Sequence, residues 1–277
     1  MELERGYSIG GLQFSICAPD RKEAEYFAPF RNDGGSPDMS FHFRFADSIT
    51  PPALPRLYTR FNEEYYGDGN VWTLRVDSGL LMKCTRTGNT AEVEFDAAHQ
   101  DYFGDHAVLT AMRLPQLMLE HGGVFLHASF IIYNSRAILF TADKQVGKST
   151  QAALWEKHLG AEIINGDRAL IRRIDGVWFA CGSPYCGTSK ICKNVQAEIA
   201  AIVILGQAAE NTVRRVAPKE ALAALMSGIS YDTDSRADTE NCLDVCGGLV
   251  SELPFFRLDC LPDKSAVDTL HKAIMEI

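Results

Sequence analysis

The stretch Ala142-Asp143-Lys144-Gln145-Val146-Gly147-Lys148-Ser149 decides how the chain is interpreted, because it matches a phosphate-binding loop at all but one position. It follows the apolar run Ala137-Ile138-Leu139-Phe140, which has the length and composition of a strand, and it precedes residues 150–157, which favour a helix. Strand, loop and helix in this order are the context that the pattern G-x-x-x-x-G-K-[ST] requires. Ala142 stands where that pattern has its first glycine. The alternative is a surface loop that contains Gly-Lys-Ser by chance.

A loop of this kind, a P-loop, binds an anion through its backbone. The N–H groups at the start of a helix point at the anion, and the helix dipole favours negative charge there. Lys148 would neutralise the β- and γ-phosphates, and the Ser149 hydroxyl would ligate Mg²⁺. The sequence therefore predicts a nucleotide site formed by Asp143, Lys144, Gln145, Val146, Gly147, Lys148, Ser149 and Thr150.

Composition excludes several classes of protein. The chain has 277 residues, of which 46% are hydrophobic and 23% charged, as in globular proteins of one large or two ordinary domains. A net charge of −9 argues against a nucleic-acid partner. No apolar run approaches the ~20 residues that span a bilayer, and the charged N-terminus lacks a secretory signal, so we expect a cytoplasmic protein with no membrane partner.

Two regions differ in pattern. Residues 1–104 are β-rich: Phe41 to Phe45 alternate apolar and polar side chains as a half-buried strand does, and a meander is predicted from Val71. Turn signals punctuate it at Gly67-Asp68-Gly69-Asn70, Asp77-Ser78-Gly79 and Thr87-Gly88-Asn89. We predict that residues 105–277 form a separate nucleotide-binding domain.

The second region alternates strands and helices. A helical stretch from His106 to Glu120 contains Pro115, which should kink or divide it. Asp175-Gly176 between two apolar runs predicts a β-hairpin, and Ala201 to Leu205 predicts a core strand.

Two further residues are candidates for catalysis. Asp167 follows an apolar strand (Glu162 to Asn165), where its carboxylate could reach Mg²⁺ beside Ser149; the alternative is an aspartate in an ordinary turn. His127 lies in an apolar strand, where a single histidine is more often structural than catalytic.

Taken in order, several segments resemble the catalytic domain of HPr kinase/phosphorylase and, more closely, the HPr-kinase-related kinases of bacterial peptide-maturation clusters. These segments are Leu126-His127-Ala128-Ser129, Gly147-Lys148-Ser149, Ile164-Asn165-Gly166-Asp167-Arg168, Gly182-Ser183-Pro184-Tyr185 and Leu253-Pro254-Phe255-Phe256-Arg257-Leu258. The resemblance covers roughly residues 122–275. It implies an α/β (α+β) fold like that of the phosphoenolpyruvate carboxykinases, a mixed sheet with the phosphate loop at a strand end.

The resemblance also implies residue roles. Lys148 and Ser149 match the phosphate and metal positions, and His127 matches a histidine near the transferred phosphate. The family usually has two adjacent aspartates after the second strand; here Gly166 replaces the first and Asp167 keeps the second.

Two functions follow as expectations. The first is an ATP- and Mg²⁺-dependent kinase that phosphorylates a hydroxyl, expected to be that of a serine, on a small protein or peptide such as a ribosomally made precursor. In that case the catalytic residues are His127 and Asp167, the metal ligands are Ser149 and Asp167, and residues 1–104 help dock the substrate or partner. The second is a degenerate kinase that acts as a nucleotide-responsive binding module. The resemblance further implies assembly into a homo-oligomer.

Overall fold

The computed structural model describes residues 2–20, 26–60, 62–67, 69–76, 79–143, 146–231 and 235–276. The chain divides into two compact units, Met1–Leu114 and Pro115–Ile277. Among the residues named from the sequence, the turn residues Asp68, Asp77 and Ser78 and the loop residues Lys144 and Gln145 lie outside the described residues.

The described residues of the first unit form an eight-stranded mixed sheet in the order β1-β2-β3-β8-β7-β6-β5-β4. Strand β3 is parallel to both β2 and β8, and the other neighbours are antiparallel. The elements are β1 Glu2–Ile9, β2 Leu12–Pro19, β3 Met39–Ala46, β4 Arg56–Arg60, β5 Glu63–Tyr66, β6 Val71–Val76, β7 Gly79–Thr87, β8 Thr90–Asp96 and helix α1 Asp105–Met112.

The predicted alternation in β3 is confirmed. Phe41 and Phe43 are buried, whereas His42 and Arg44, which alternate with them, are exposed. Side chains of a strand point alternately to opposite faces, so one face of β3 packs into the core and the other meets water. The predicted turn between β7 and β8 is also present, and Gly88 adopts the positive φ of 57° that glycine tolerates best.

The predicted division of the helical stretch is confirmed as well. Helix α1 ends at Met112, and a second helix, α2, runs over Leu114–Glu120. Between them Arg113 takes a left-handed conformation, with φ of 46°. Pro115 then lies in the first turn of α2, where its missing N–H would have no intrahelical partner in any case.

The described residues of the second unit form a nine-stranded mixed sheet with helices packed against it, so the predicted mixed α/β class with a preceding β-rich region is confirmed. The remaining elements are β9 Gly123–Tyr133, β10 Arg136–Thr141, α3 Lys148–Leu159, β11 Glu162–Asn165, β12 Arg168–Ile174, β13 Val177–Cys181, β14 Gln196–Gln207, β15 Thr212–Arg215, α4 Pro218–Gly228, β16 Ile229–Ser230, α5 Arg236–Glu252, β17 Phe255–Cys260 and α6 Lys264–Met275.

Strand β9 organises this sheet. It pairs antiparallel with β10, β11, β12 and β16, while β10 is parallel to β14 and β14 is parallel to β17. The carboxyl ends of β10, β14 and β17 therefore meet at one edge, which is where open α/β sheets bind ligands. The predicted hairpin at Asp175-Gly176 joins β12 to β13, and the predicted core strand lies within β14.

The two faces of β10 are buried in different hydrophobic cores. Ala137 and Leu139 belong to the core that contains helices α4 and α5. Ile138 and Phe140 belong to the core that contains α3 and α6, and Trp155 of α3 is fully buried there. Helix α3 is thus fixed against the strand that feeds the phosphate loop.

Within the described residues, no helix combines the length and the apolar character needed to cross a bilayer.

We predict that Trp155→Ala lowers the free energy of unfolding by about 3–5 kcal/mol, because it leaves a cavity beneath α3 that the core cannot fill. Urea denaturation followed by circular dichroism measures the change. Lys157→Ala, on the exposed side of the same helix, is the control and should stay within about 0.5 kcal/mol of wild type. An equally small effect of Trp155→Ala would contradict this account of how α3 is held.

Candidate active site

The phosphate loop begins where β10 ends and closes onto the start of α3. Gly147 precedes the first helical residue with φ of 120°, a conformation that residues with a Cβ rarely adopt. Its carbonyl oxygen accepts the Gln151 N–H at 2.9 Å, the first hydrogen bond of the helix. The N–H groups of the first turn therefore have no intrahelical acceptor and are available to an anion.

Lys148 is folded back into this loop. Its buried ammonium donates to the carbonyl oxygens of Ala142, at 3.2 Å, and Asp143, at 3.5 Å. Burial lowers the pKa of Lys148, and the carboxylates of Asp167 and Asp143 partly oppose that shift. A phosphate group beside the ammonium would offset its desolvation. The next two residues of the helix, Ser149 and Thr150, are exposed, and Val146 is half-buried.

His127 and Asp167 form a pair at the neighbouring strand ends. His127 Nδ1 lies 3.1 Å from the Asp167 carbonyl oxygen and 3.4 Å from its Oδ1. Both oxygens can only accept, so Nδ1 is assigned as the protonated nitrogen and Nε2 is left as the proton acceptor of a neutral ring. The hydrogen bond from His127 is the main reason that the pKa of Asp167 lies below its ordinary value, and the positive charges of Arg168 and Lys148 add to it against burial. Asp167 is therefore an anion at neutral pH.

Asn165 holds the turn that presents Asp167. It is fully buried, and its Oδ1 accepts the backbone N–H groups of Asp167 and Arg168, each at 2.8 Å. Its Nδ2 donates to the Ser183 carbonyl oxygen at 3.0 Å. Both ends of the carboxamide are thus used by backbone groups, so Asn165 positions the turn and has no group left to take a proton from a substrate.

Gly166, where the resemblance led us to expect an aspartate, is packed too closely for a side chain. A Cβ at this position would lie 2.2 Å from the Ser189 Oγ and 2.5 Å from the Ser189 Cβ. Ser189 is fixed in turn, because its hydroxyl donates to the Cys186 carbonyl oxygen at 2.6 Å. The adjacent Gly187, with φ of 54°, would place a Cβ 2.8 Å from the Asp167 Cβ. The segment around Ser189 thus fills the space beside the one remaining aspartate.

A cavity of about 420 Å³, here called the His127 cavity, opens beside the loop. Its wall includes His127, Thr141 and Asp143 from the strand ends and the loop, Ala223 and Ala224 from α4, and the charged residues Glu220 and Arg257. A cavity of this size can hold a small ligand or a few residues of a peptide.

Glu220 and Arg257 received no role from the sequence, although Arg257 lies in one of the segments that carry the resemblance. The signal that could have identified Arg257 is its spacing from Asp259, since residues two apart in a strand share a face.

Asp167 and Ser149 are the residues that could hold a divalent cation. Within the described part of the chain, no group of three or more His, Cys, Asp or Glu side chains is arranged to bind a metal ion. Mg²⁺ is commonly held by one or two carboxylates together with water and substrate phosphates, and the assignment of Asp167 and Ser149 as its ligands stays a prediction. The low pKa of Asp167 suits this role, because a carboxylate must be ionised to ligate.

The chain matches no protein-family model and no curated protein sequence. Among solved structures it is similar to the HPr(Ser) kinase/phosphatase from Coxiella burnetii, with 12% sequence identity and a TM-score of 0.31. The matched region covers 55% of this chain and 92% of the other.

We predict that Gly166→Ala lowers the free energy of unfolding by about 1–3 kcal/mol, since Ser189 must shift to admit the methyl group. Thermal and urea denaturation measure the loss. Removing the obstruction in the double variant Gly166→Ala/Ser189→Gly should bring stability back toward that of Ser189→Gly alone.

The control for this prediction is Gly247→Ala, at an exposed position of α5 with open space around the added Cβ. There the substitution should be neutral or stabilising, because alanine favours a helix by roughly 0.5–1 kcal/mol over glycine. Strictly additive effects of Gly166→Ala and Ser189→Gly would show that the two positions do not interfere.

Proposed function

We propose that the second unit binds Mg·ATP and transfers the γ-phosphoryl group to a hydroxyl group, as a kinase. The observation that carries the proposal is the placement of the phosphate-loop lysine beside the His127–Asp167 pair. Lys148 and Asp167 are close enough to influence each other's pKa, and Asp167 is hydrogen-bonded to His127. A cation, an anion and an imidazole thus lie close together, and we assign them to phosphate, metal ion and proton respectively.

In this proposal Lys148 binds the β- and γ-phosphates together with the backbone N–H groups at the start of α3. The ammonium would exchange the loop carbonyl oxygens of Ala142 and Asp143 for phosphate oxygens, which form stronger, charge-assisted hydrogen bonds. Asp167 and Ser149 would hold Mg²⁺, which would neutralise the charge of the phosphates.

His127 would act as the general base. Its Nδ1 is engaged by Asp167, which fixes the ring and stabilises the imidazolium that proton transfer creates. The acceptor oxygen bonds to the γ-phosphorus as the bond from phosphorus to the β–γ bridging oxygen breaks. ADP leaves with that oxygen, and the hydroxyl proton passes to His127 Nε2. This assignment needs no side chain at Gly166.

We propose a seryl hydroxyl on a small protein or peptide as the acceptor, with the β-rich first unit as a docking region for that substrate or partner. The open, charged His127 cavity supports an acceptor larger than water. The site would then work in the cytoplasm, where ATP is abundant, in a protein that assembles with further copies of itself.

A second candidate is a nucleotide-responsive binding module without phosphoryl transfer. The close packing of Ser189 against Gly166 favours it, because that packing leaves Asp167 as the single aspartate of the turn. ADP production from ATP in the presence of serine-containing peptides separates the two candidates. A module would bind the nucleotide without consuming it.

We predict that Lys148→Ala weakens ATP binding at least tenfold. Charge-assisted hydrogen bonds to phosphate contribute about 1.5–3 kcal/mol each, and ~1.4 kcal/mol corresponds to one decade of affinity. The folded state disfavours the charged form of Lys148, so the substitution should not lower the free energy of unfolding in the absence of nucleotide. Calorimetric titration with ATP and Mg²⁺ measures the affinity.

Lys157→Ala serves as the control for charge, since it removes a lysine from the exposed surface of the same helix and should leave ATP affinity unchanged. If Lys148→Ala and Lys157→Ala bind ATP as wild type does, Gly147-Lys148-Ser149 is a chance motif. Wild-type protein that binds no nucleotide would refute both candidate functions.

We predict that Asp167→Asn abolishes the enhancement of ATP binding by Mg²⁺, because it keeps the side-chain shape but removes the ligating charge. Titrations with and without Mg²⁺ measure this enhancement for each protein. Asp175→Asn, in the turn between β12 and β13, removes the same charge and should leave the enhancement intact. If Mg²⁺ still enhances ATP binding by the Asp167→Asn variant, Asp167 is a turn residue and not a metal ligand.

A further inference from the structure

We propose that the His127 cavity is the acceptor site and that Arg257 selects acceptors carrying a carboxylate next to the hydroxyl that is phosphorylated. This inference rests on the proposed kinase function and specifies its substrate class. The shared chemistry is a hydroxyl beside a carboxylate, which an acidic residue next to serine in a peptide or a free hydroxy acid could supply.

Among the described residues of its wall, the cavity contains the proposed base and one arginine or lysine side chain, that of Arg257. His127 and Asp143 lie on its wall at the strand ends, and Arg257 lies on its wall at β17. The face that α4 contributes is made of small residues, Ala223 and Ala224 among them, which leave room for a ligand. A hydroxyl group at His127 and an anionic group at Arg257 can therefore occupy one cavity.

Arg257 is held by one hydrogen bond, and several of its N–H donors remain available. Its Nε donates to Asp259 Oδ1 at 2.8 Å, and among the described residues no other group accepts a hydrogen bond from it. The two terminal nitrogens of the guanidinium keep their donors for a ligand, and a carboxylate matches them with two oxygens. The side chain is 31% exposed, so it is accessible from the cavity without being fully solvated.

Gly206 shows that this position of the guanidinium is built into the sheet. A Cβ at residue 206 would lie 2.0 Å from Asp259 Oδ1 and 2.3 Å from the Arg257 Nη2. The Arg257–Asp259 pair thus lies over the backbone of β14 at Gly206, where there is no side chain to displace it. The hydrogen bond to Asp259 orients the guanidinium before any ligand binds, which reduces the entropy cost of binding.

Two acidic residues are described on the cavity wall, and neither cancels this preference: Asp143 lies beside the Lys148 ammonium, and Glu220 is already paired. Glu220 accepts from both terminal nitrogens of Arg214, at 2.9 and 2.7 Å, so its two oxygens already have a cationic partner. Arg214 lies directly opposite Arg257 on the neighbouring strand β15. The pairs Arg214–Glu220 and Arg257–Asp259 separate two like charges, and Arg257 is the member whose terminal nitrogens remain available.

The test compares ligands that differ only in charge. The first pair is a glycine heptapeptide with a central serine flanked by aspartates and its counterpart with asparagines; the second pair is glycerate and glycerol. Each is titrated calorimetrically into full-length protein saturated with Mg²⁺ and a non-hydrolysable ATP analogue. Wild type, Arg257→Gln, Arg257→Lys and Arg215→Gln are compared, the last removing a nearby arginine that does not line the cavity.

We expect wild type to bind the acidic member of at least one pair at least tenfold more tightly than the neutral member. Arg257→Gln should abolish this preference, Arg257→Lys should restore part of it, and Arg215→Gln should retain it. A preference within the peptide pair identifies an acidic peptide as the source of the carboxylate, and one confined to glycerate identifies a free hydroxy acid. Affinity for the ATP analogue should be the same in all four proteins.

Three results would overturn the inference. They are equal binding of acidic and neutral probes, a preference that survives Arg257→Gln, and a loss of nucleotide affinity in Arg257→Gln, which would place Arg257 at the phosphates. Failure of all probes to bind nucleotide-loaded protein counts against the acceptor class alone. Failure of the protein to bind nucleotide counts against the proposed kinase function, so the two failures are distinguishable.

Discussion

The register of strand β9 is the constraint on which the rest of the site depends. On one side β9 places Ala128 opposite Thr141, the last residue before the phosphate loop. On the other side it places His127 opposite Arg168, the residue after Asp167. The pairing of β9 with its two neighbours therefore fixes the position of both the phosphate loop and the His127–Asp167 pair. A shift of a single residue would turn alternate side chains to the other face and separate the two halves of the site.

A large part of this architecture could be predicted from local sequence patterns. The strand, loop and helix around Lys148, the alternation in β3 and the hairpin at Asp175-Gly176 all follow from signals within a few residues of each other. In each case turn chemistry or side-chain periodicity and the final packing favour the same structure. Where local preference and tertiary context agree in this way, the structure can be predicted from the sequence.

Other parts of the site could not be predicted, because they depend on contacts between distant segments. Asn165 lies two residues before Asp167, but only the structure shows that its carboxamide is buried and hydrogen-bonded to the backbone. Nothing local to Gly166 indicates that Ser189 fills the adjacent space. Likewise the role of Arg257 became apparent only when β17, β14 and α4 came together around one cavity.

The turn held by Asn165 has a further chemical consequence. Asn165-Gly166 is the kind of sequence in which the following backbone nitrogen attacks the carboxamide carbon to form a succinimide, which hydrolyses to aspartate or isoaspartate. In the folded protein the carboxamide is buried, and its oxygen is held by the N–H groups of Asp167 and Arg168. That arrangement keeps the carbonyl carbon from the attacking nitrogen and keeps water out. The fold thus protects the covalent structure of the chain at this turn. Chains that spend longer unfolded will deamidate at Asn165 faster than chains that stay folded.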